Sequence, residues 1–125
     1  MLSGKKRILL ISLLVMLLAV TGFMVMNNPD ILDTLRRTDL TIRWTTESEL
    51  DIVGFNLFRS DTPDGKFVKI NEELIPPAPD PFVGGEHVFI DKGVIRGQTY
   101  YYQLETVTRR GNTTIRGPFA IPAGN

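Results

Sequence analysis

The chain has 125 residues, 42% hydrophobic and 22% charged, with 14 basic and 14 acidic side chains, one histidine and no cysteine. That length suits one domain with a modest core, and the lack of cysteine excludes disulfides, thiolate metal centres and an acylated-cysteine anchor. Lys5, Lys6 and Arg7 precede an apolar run, so beyond Met26 the other 11 basic residues meet all 14 acidic ones; the net charge of −3 there gives no footprint for nucleic acid.

Residues 8–26 form a stretch of 19 without a charge. As a helix this stretch reaches about 28 Å, close to the hydrocarbon thickness of a bilayer. Leu9, Leu10, Leu13, Leu14, Leu17 and Leu18 fall on every side of it, so lipid is its natural solvent and the bilayer its first expected partner. Residues 1–7 then read as a basic cytoplasmic segment, 8–26 as a transmembrane signal-anchor and 27–37 as a juxtamembrane linker. The basic cluster ahead of the span, with Asp30 and Asp33 behind it, places the N-terminus in the cytoplasm and the C-terminal domain outside a cell membrane crossed once. The alternative is a cleaved signal peptide with small residues near Val20, Thr21 and Gly22, which would leave a secreted product. Against cleavage, the apolar run continues through Phe23 to Met26 and no A-x-A site is present.

Asn27-Asn28-Pro29 breaks the helix, and Ile31, Leu32 and Leu35 follow at roughly helical spacing, which fits a short juxtamembrane helix or a degenerate first strand. From Leu40 the period becomes two: Leu40, Ile42 and Trp44 alternate with Thr41, Arg43 and Thr45, the pattern of a half-buried strand. Further strands are predicted over residues 53–59, 67–70, 88–90, 99–107 and 113–116, separated by turn signals such as Thr62-Pro63-Asp64-Gly65. Short strands at this spacing predict an all-β antiparallel sandwich over residues 38–122. The long connection from 76 to 86 carries four prolines and cannot be a central strand.

Three segments carry a resemblance. "LTIRW", ending at Trp44, resembles the second strand of a fibronectin type III domain, "GFNLFRS" its third, and "GVIRGQTYYYQLETV" the region entering its sixth. Gly97, Thr99 and Tyr100 match that last pattern, while Val94 and Arg96 replace its leucine and proline. The resemblance implies an immunoglobulin-like fold with Trp44 in the core and Tyr100 as the tyrosine-corner residue, its hydroxyl capping an upstream backbone group. With Gly117-Pro118, the chain looks closest to versions of the domain in bacterial exported and surface proteins. The family's first strand has no evident counterpart, which would leave a sheet edge exposed.

Chemistry is sparse. His87 is the sole candidate base and is expected on the surface at the mouth of a strand. Glu47, Glu49 and Asp51 are expected in a solvated loop without calcium spacing, as is Asp61 to Gly65. Gly84-Gly85 lacks the strand and helix of a phosphate loop. Asn112-Thr113-Thr114, formally a glycosylation sequon, is expected to be only a hairpin turn. In animal members of the family the turn before the last strand presents Arg-Gly-Asp; here Arg110-Gly111-Asn112 has a neutral amide instead of the metal-binding carboxylate. No acid, base and nucleophile converge, so no enzyme, cofactor or metal is expected.

With Tyr100, Tyr102 and Leu104 facing inward, Tyr101 faces out, and the Tyr102 hydroxyl is expected to reach an open end of the sandwich. Tyr101 and Phe58 with some of Arg43, Arg59, Arg109 and Arg116 would form an aromatic, arginine-rich face suited to a protein partner of unknown identity. The expectation is a membrane-held extracytoplasmic module for protein contacts or scaffolding. Its rivals are an accessory subunit of a membrane complex and a carbohydrate-associated module of an exported system.

Overall fold

The computed structural model describes every residue except Leu2 and Asn125. The chain divides into two compact units, Met1–Arg36 and Arg37–Asn125.

The first unit is helical. Helix α1 spans Gly4–Met26, beginning inside the basic cluster, where the Ser3 carbonyl accepts the N–H groups of Lys6 (2.9 Å) and Arg7 (3.1 Å). It is long and apolar enough to cross a membrane, and none of its residues is buried. Its Thr21 hydroxyl donates back to the carbonyls of Leu17 and Leu18, both at 3.0 Å, which suits a polar group in lipid. Helix α2, Pro29–Arg36, decides between the two readings of the linker in favour of a helix. Pro29 opens it, where no N–H partner is needed, and the Asn28 side chain accepts the Asp30 N–H at 3.2 Å.

The second unit is antiparallel β. Its strands are β1 (Arg37–Thr46), β2 (Ile52–Ser60), β3 (Val68–Lys69), β4 (Gly85–Ile95), β5 (Thr99–Thr108) and β6 (Thr113–Pro122). They form a two-stranded sheet, β1-β4, and a four-stranded sheet in the order β3-β2-β5-β6. Leu40 and Ile42 from β1, Val94 from β4, Leu57 from β2, and Tyr100 and Tyr102 from β5 share one buried cluster, so the two sheets enclose a common core as a sandwich does. Ala123, one residue past the expected boundary at 122, closes that cluster; its N–H donates to the Gln98 carbonyl and its carbonyl accepts from Gly97, both at 2.8 Å.

Two strands are longer than the sequence pattern indicates. β4 runs to Ile95 rather than stopping at residue 90, because Asp91 is buried and paired with Arg59 inside and β1 continues to pair through a bulge between Thr38 and Leu40. β6 passes through Gly117 and Pro118 to Pro122, with the bulge between Tyr102 and Leu104 absorbing the irregular residues. Among the described residues no strand precedes β1, which pairs with β4 alone.

Trp44 is half-buried on the inner side of β1. Its indole meets the Phe55 ring edge-on at 5.6 Å and stacks on His87 at 5.0 Å, and its Nε1 is shielded from solvent without a partner. Trp44→Ala should cost about 3 to 5 kcal/mol, a large share of the 5 to 15 kcal/mol typical of a domain. Trp44→Phe should cost distinctly less, because it keeps an aromatic ring and removes an unpaired donor. Urea unfolding of the full chain in mild detergent, followed by circular dichroism of the sheets, checks both.

Candidate functional site

The β2 to β5 register places Phe58 opposite Gln103 and Ser60 opposite Tyr101. Phe58 and Tyr101 are therefore diagonal neighbours on the outer face of the four-stranded sheet, each half-buried. The arginines expected beside them lie elsewhere. Arg43 belongs to the other sheet, where it pairs with Glu86 at 3.2 Å, both side chains being more than half exposed, a pairing worth about 0 to 1 kcal/mol. Arg109 follows β5, and its N–H donates to the Asp51 carbonyl at 2.9 Å. Arg116 opposes Leu104 after the bulge in β6, which puts it on the inward side. Arg59 also points in, its guanidinium 2.8 Å from both Asp91 oxygens and 5.3 Å from the centre of the Tyr100 ring. The division into two sheets and a bulge separate the expected set; strand periodicity reports neither.

The inward tyrosines are both committed. The Tyr100 hydroxyl accepts the Ile95 N–H at 2.9 Å and donates to Gln98 Oε1 at 2.8 Å. The Tyr102 hydroxyl, expected at an open end, instead donates to Asp91 Oδ2 at 2.7 Å in the buried interior. Burial pushes the Tyr102 phenol well above its ordinary pKa, and the Asp91 carboxylate raises it further against the opposing charge of Arg59. Burial alone would lower the Arg59 pKa, but the Asp91 bond and charge hold it above its usual value.

His87 and Glu49 reverse their expected surroundings: both are buried, with His87 Nε2 donating to Glu49 Oε1 at 2.6 Å. The Thr46 hydroxyl and the Ala78 N–H also donate to the Glu49 carboxylate, while Glu47 and Asp51 stay exposed. Burial alone would raise the Glu49 pKa, but the bonds from Thr46, His87 and Ala78, with the charge of His87, hold it below the ordinary value. One carboxylate thus pins the β1–β2 loop, the proline-rich connection and β4 together. Gly84, at φ +63°, turns the connection back against the Thr46 backbone, where a Cβ would collide. A histidine between a strand start and a glycine pair gave no signal of this clamp, because its partner lies 38 residues away.

The Arg110-Gly111-Asn112 segment is a tight hairpin in which the Thr108 N–H donates to the Asn112 carbonyl at 2.9 Å and Gly111 has φ +79°. Among the described residues no group of three His, Cys, Asp or Glu side chains is placed to hold a metal ion. Compared with known protein families, curated proteins and solved structures, the chain matches none.

Two outcomes are expected from these networks. Tyr100→Phe strands the part-buried Ile95 N–H and should cost about 1 to 3 kcal/mol, Tyr102→Phe removes a donor to a charged acceptor and should cost about as much or more, and Tyr101→Phe should be nearly silent; melting curves of the three variants rank them. Because the folded-state pKa of Glu49 lies below its unfolded value of about 4.3, its contribution is present above that pH and is lost as pH falls through the lower folded value. Glu49→Gln should therefore be less stable than the parent at pH 7 and should flatten the acid side of the stability profile, measured by urea unfolding between pH 7 and pH 3.

Proposed function

We propose that this chain is a membrane-tethered β-sandwich module of fibronectin type III kind that works outside the cytoplasm through protein contacts, without catalysis. The observation that carries the reading is helix α1: 23 residues, of which residues 8–26 are uncharged and apolar on every side, followed by a short capped helix and a separately packed β unit. Positive charge ahead of the span and acid behind it support an inside N-terminus. The family assignment draws support from the sheet order and from the Tyr100 hydroxyl meeting a backbone N–H five residues upstream. A role in contacts rather than chemistry is supported by the lone histidine being spent on Glu49, and the outward Phe58 and Tyr101 pair offers aromatic area for a partner.

Protease added outside intact cells should digest the β unit while a tag placed before Lys5 stays protected, and the mass of the extracted chain should be that of the full length. Digestion of the tag from outside overturns the orientation, and a soluble chain starting near Phe23 overturns the tether.

A further inference from the structure

The sheets are unequal, four strands against two, so the narrower one cannot cover the whole inner face of the wider. What remains open is a groove of about 320 Å³ between β1 and β6, floored by Leu57 and Tyr102 and walled by Ile42, Trp44, Phe119 and Ile121. Phe119 opposes Tyr102 and shares its inward face, yet 52% of it is exposed. An aromatic ring on the core side of a strand with that exposure is a core position lacking its cover.

The two strands that bound the groove differ as edges. β6 carries Pro118 and Pro122, which have no N–H to offer a neighbour and guard that edge. β1 has no proline, and among the described residues its backbone bonds only to β4, so a row of N–H and C=O groups stands free beside the groove. Pairing β1 with β1 of a second copy would bring another two-layer body against the projecting β6. A single extended strand meets no such obstacle: it satisfies the free row and drops alternate side chains into the apolar space. That space equals roughly ten waters, room for a row of aliphatic side chains and too little for a folded element. The groove is lined without a carboxylate; its one charged lining residue, Arg43, is paired with Glu86, whereas Arg116, exposed on β6 opposite the lining residue Leu104, has no acidic partner among the described residues.

We propose that the groove between β1 and β6 receives an extended segment of a partner protein, apolar at alternate positions and carrying a carboxylate for Arg116, which adds to the sheet as a strand on the β1 edge. This site is separate from the Phe58 and Tyr101 face and does not depend on which side of a membrane the β unit occupies.

The probe is the peptide Glu-Thr-Val-Thr-Ile-Thr-Val-Thr-Glu, whose glutamates and aliphatic residues fall on one face in either strand direction. It is titrated into the full chain in mild detergent, read by the fluorescence of Trp44, the sole tryptophan, and by hydrogen exchange of the β1 amides. The expected result is saturable binding that slows β1 exchange, at least about tenfold weaker for the same peptide with lysine at both ends. Phe119→Glu should abolish binding; its side chain is half exposed, so an unchanged melting curve shows that the fold stands. Arg116→Glu should reverse the preference to the lysine peptide. Absence of saturable binding, indifference to the Arg116 exchange, or β1 amides already protected before peptide is added would overturn the proposal.

Discussion

The Asp91 carboxylate sits 5% exposed on the inner face of β4 and draws its hydrogen bonds from the opposite sheet, from the Arg59 guanidinium on β2 and the Tyr102 hydroxyl on β5. A buried charge is tolerated only when it is paired and fully bonded, so this carboxylate can be satisfied only if the two sheets meet in one relative position. Tyr100 reinforces the same arrangement by placing its ring 5.3 Å from the Arg59 guanidinium and its hydroxyl on Ile95 at the end of β4. Apolar burial of Leu57, Val94 and Ile42 supplies the driving force, and the polar cluster selects the alignment.

With the sheets so placed, the connection between β3 and β4 has somewhere to dock. Glu49 gathers Thr46, Ala78 and His87, and the stacked Trp44 and His87 rings join that clamp to the apolar core. Bonds from Asn71 to the Leu57 N–H at 2.7 Å and to Asn56 at 2.9 Å tie the start of the connection to β2. Among the described residues no comparable set of bonds spans the β1 and β6 side, where the groove is lined by apolar side chains apart from Arg43. One side of the β unit is thus sealed by specific polar bonds and the other presents core surface to solvent.

The helical unit obeys a different physics. α1 has no buried residue and no polar stripe, and its stability requires only internal hydrogen bonds and an apolar solvent, so it places no demand on the packing of the β unit. Under the proposed membrane-tethered reading, such a helix would confine the β unit to a surface, where weak contacts gain from a raised effective concentration.

The sequence by itself determined whatever depends on neighbours a few residues apart. The apolar run of α1, the alternation of Leu40, Ile42 and Trp44, the inward Tyr100 and Tyr102 beside the outward Tyr101, and the turn at Arg110-Gly111-Asn112 all follow from periodicity and turn chemistry, which are local. Tertiary structure alone decided the rest. The pairing of Glu49 with His87, the burial of Asp91, the inward turn of Arg116 after a bulge, and the groove beside β1 each join residues far apart in the chain or depend on the number of strands in each sheet. A charged residue in a strand reads as exposed because burial of a charge is costly, and only the arrival of a distant partner with the opposite charge or a matching hydroxyl removes that cost.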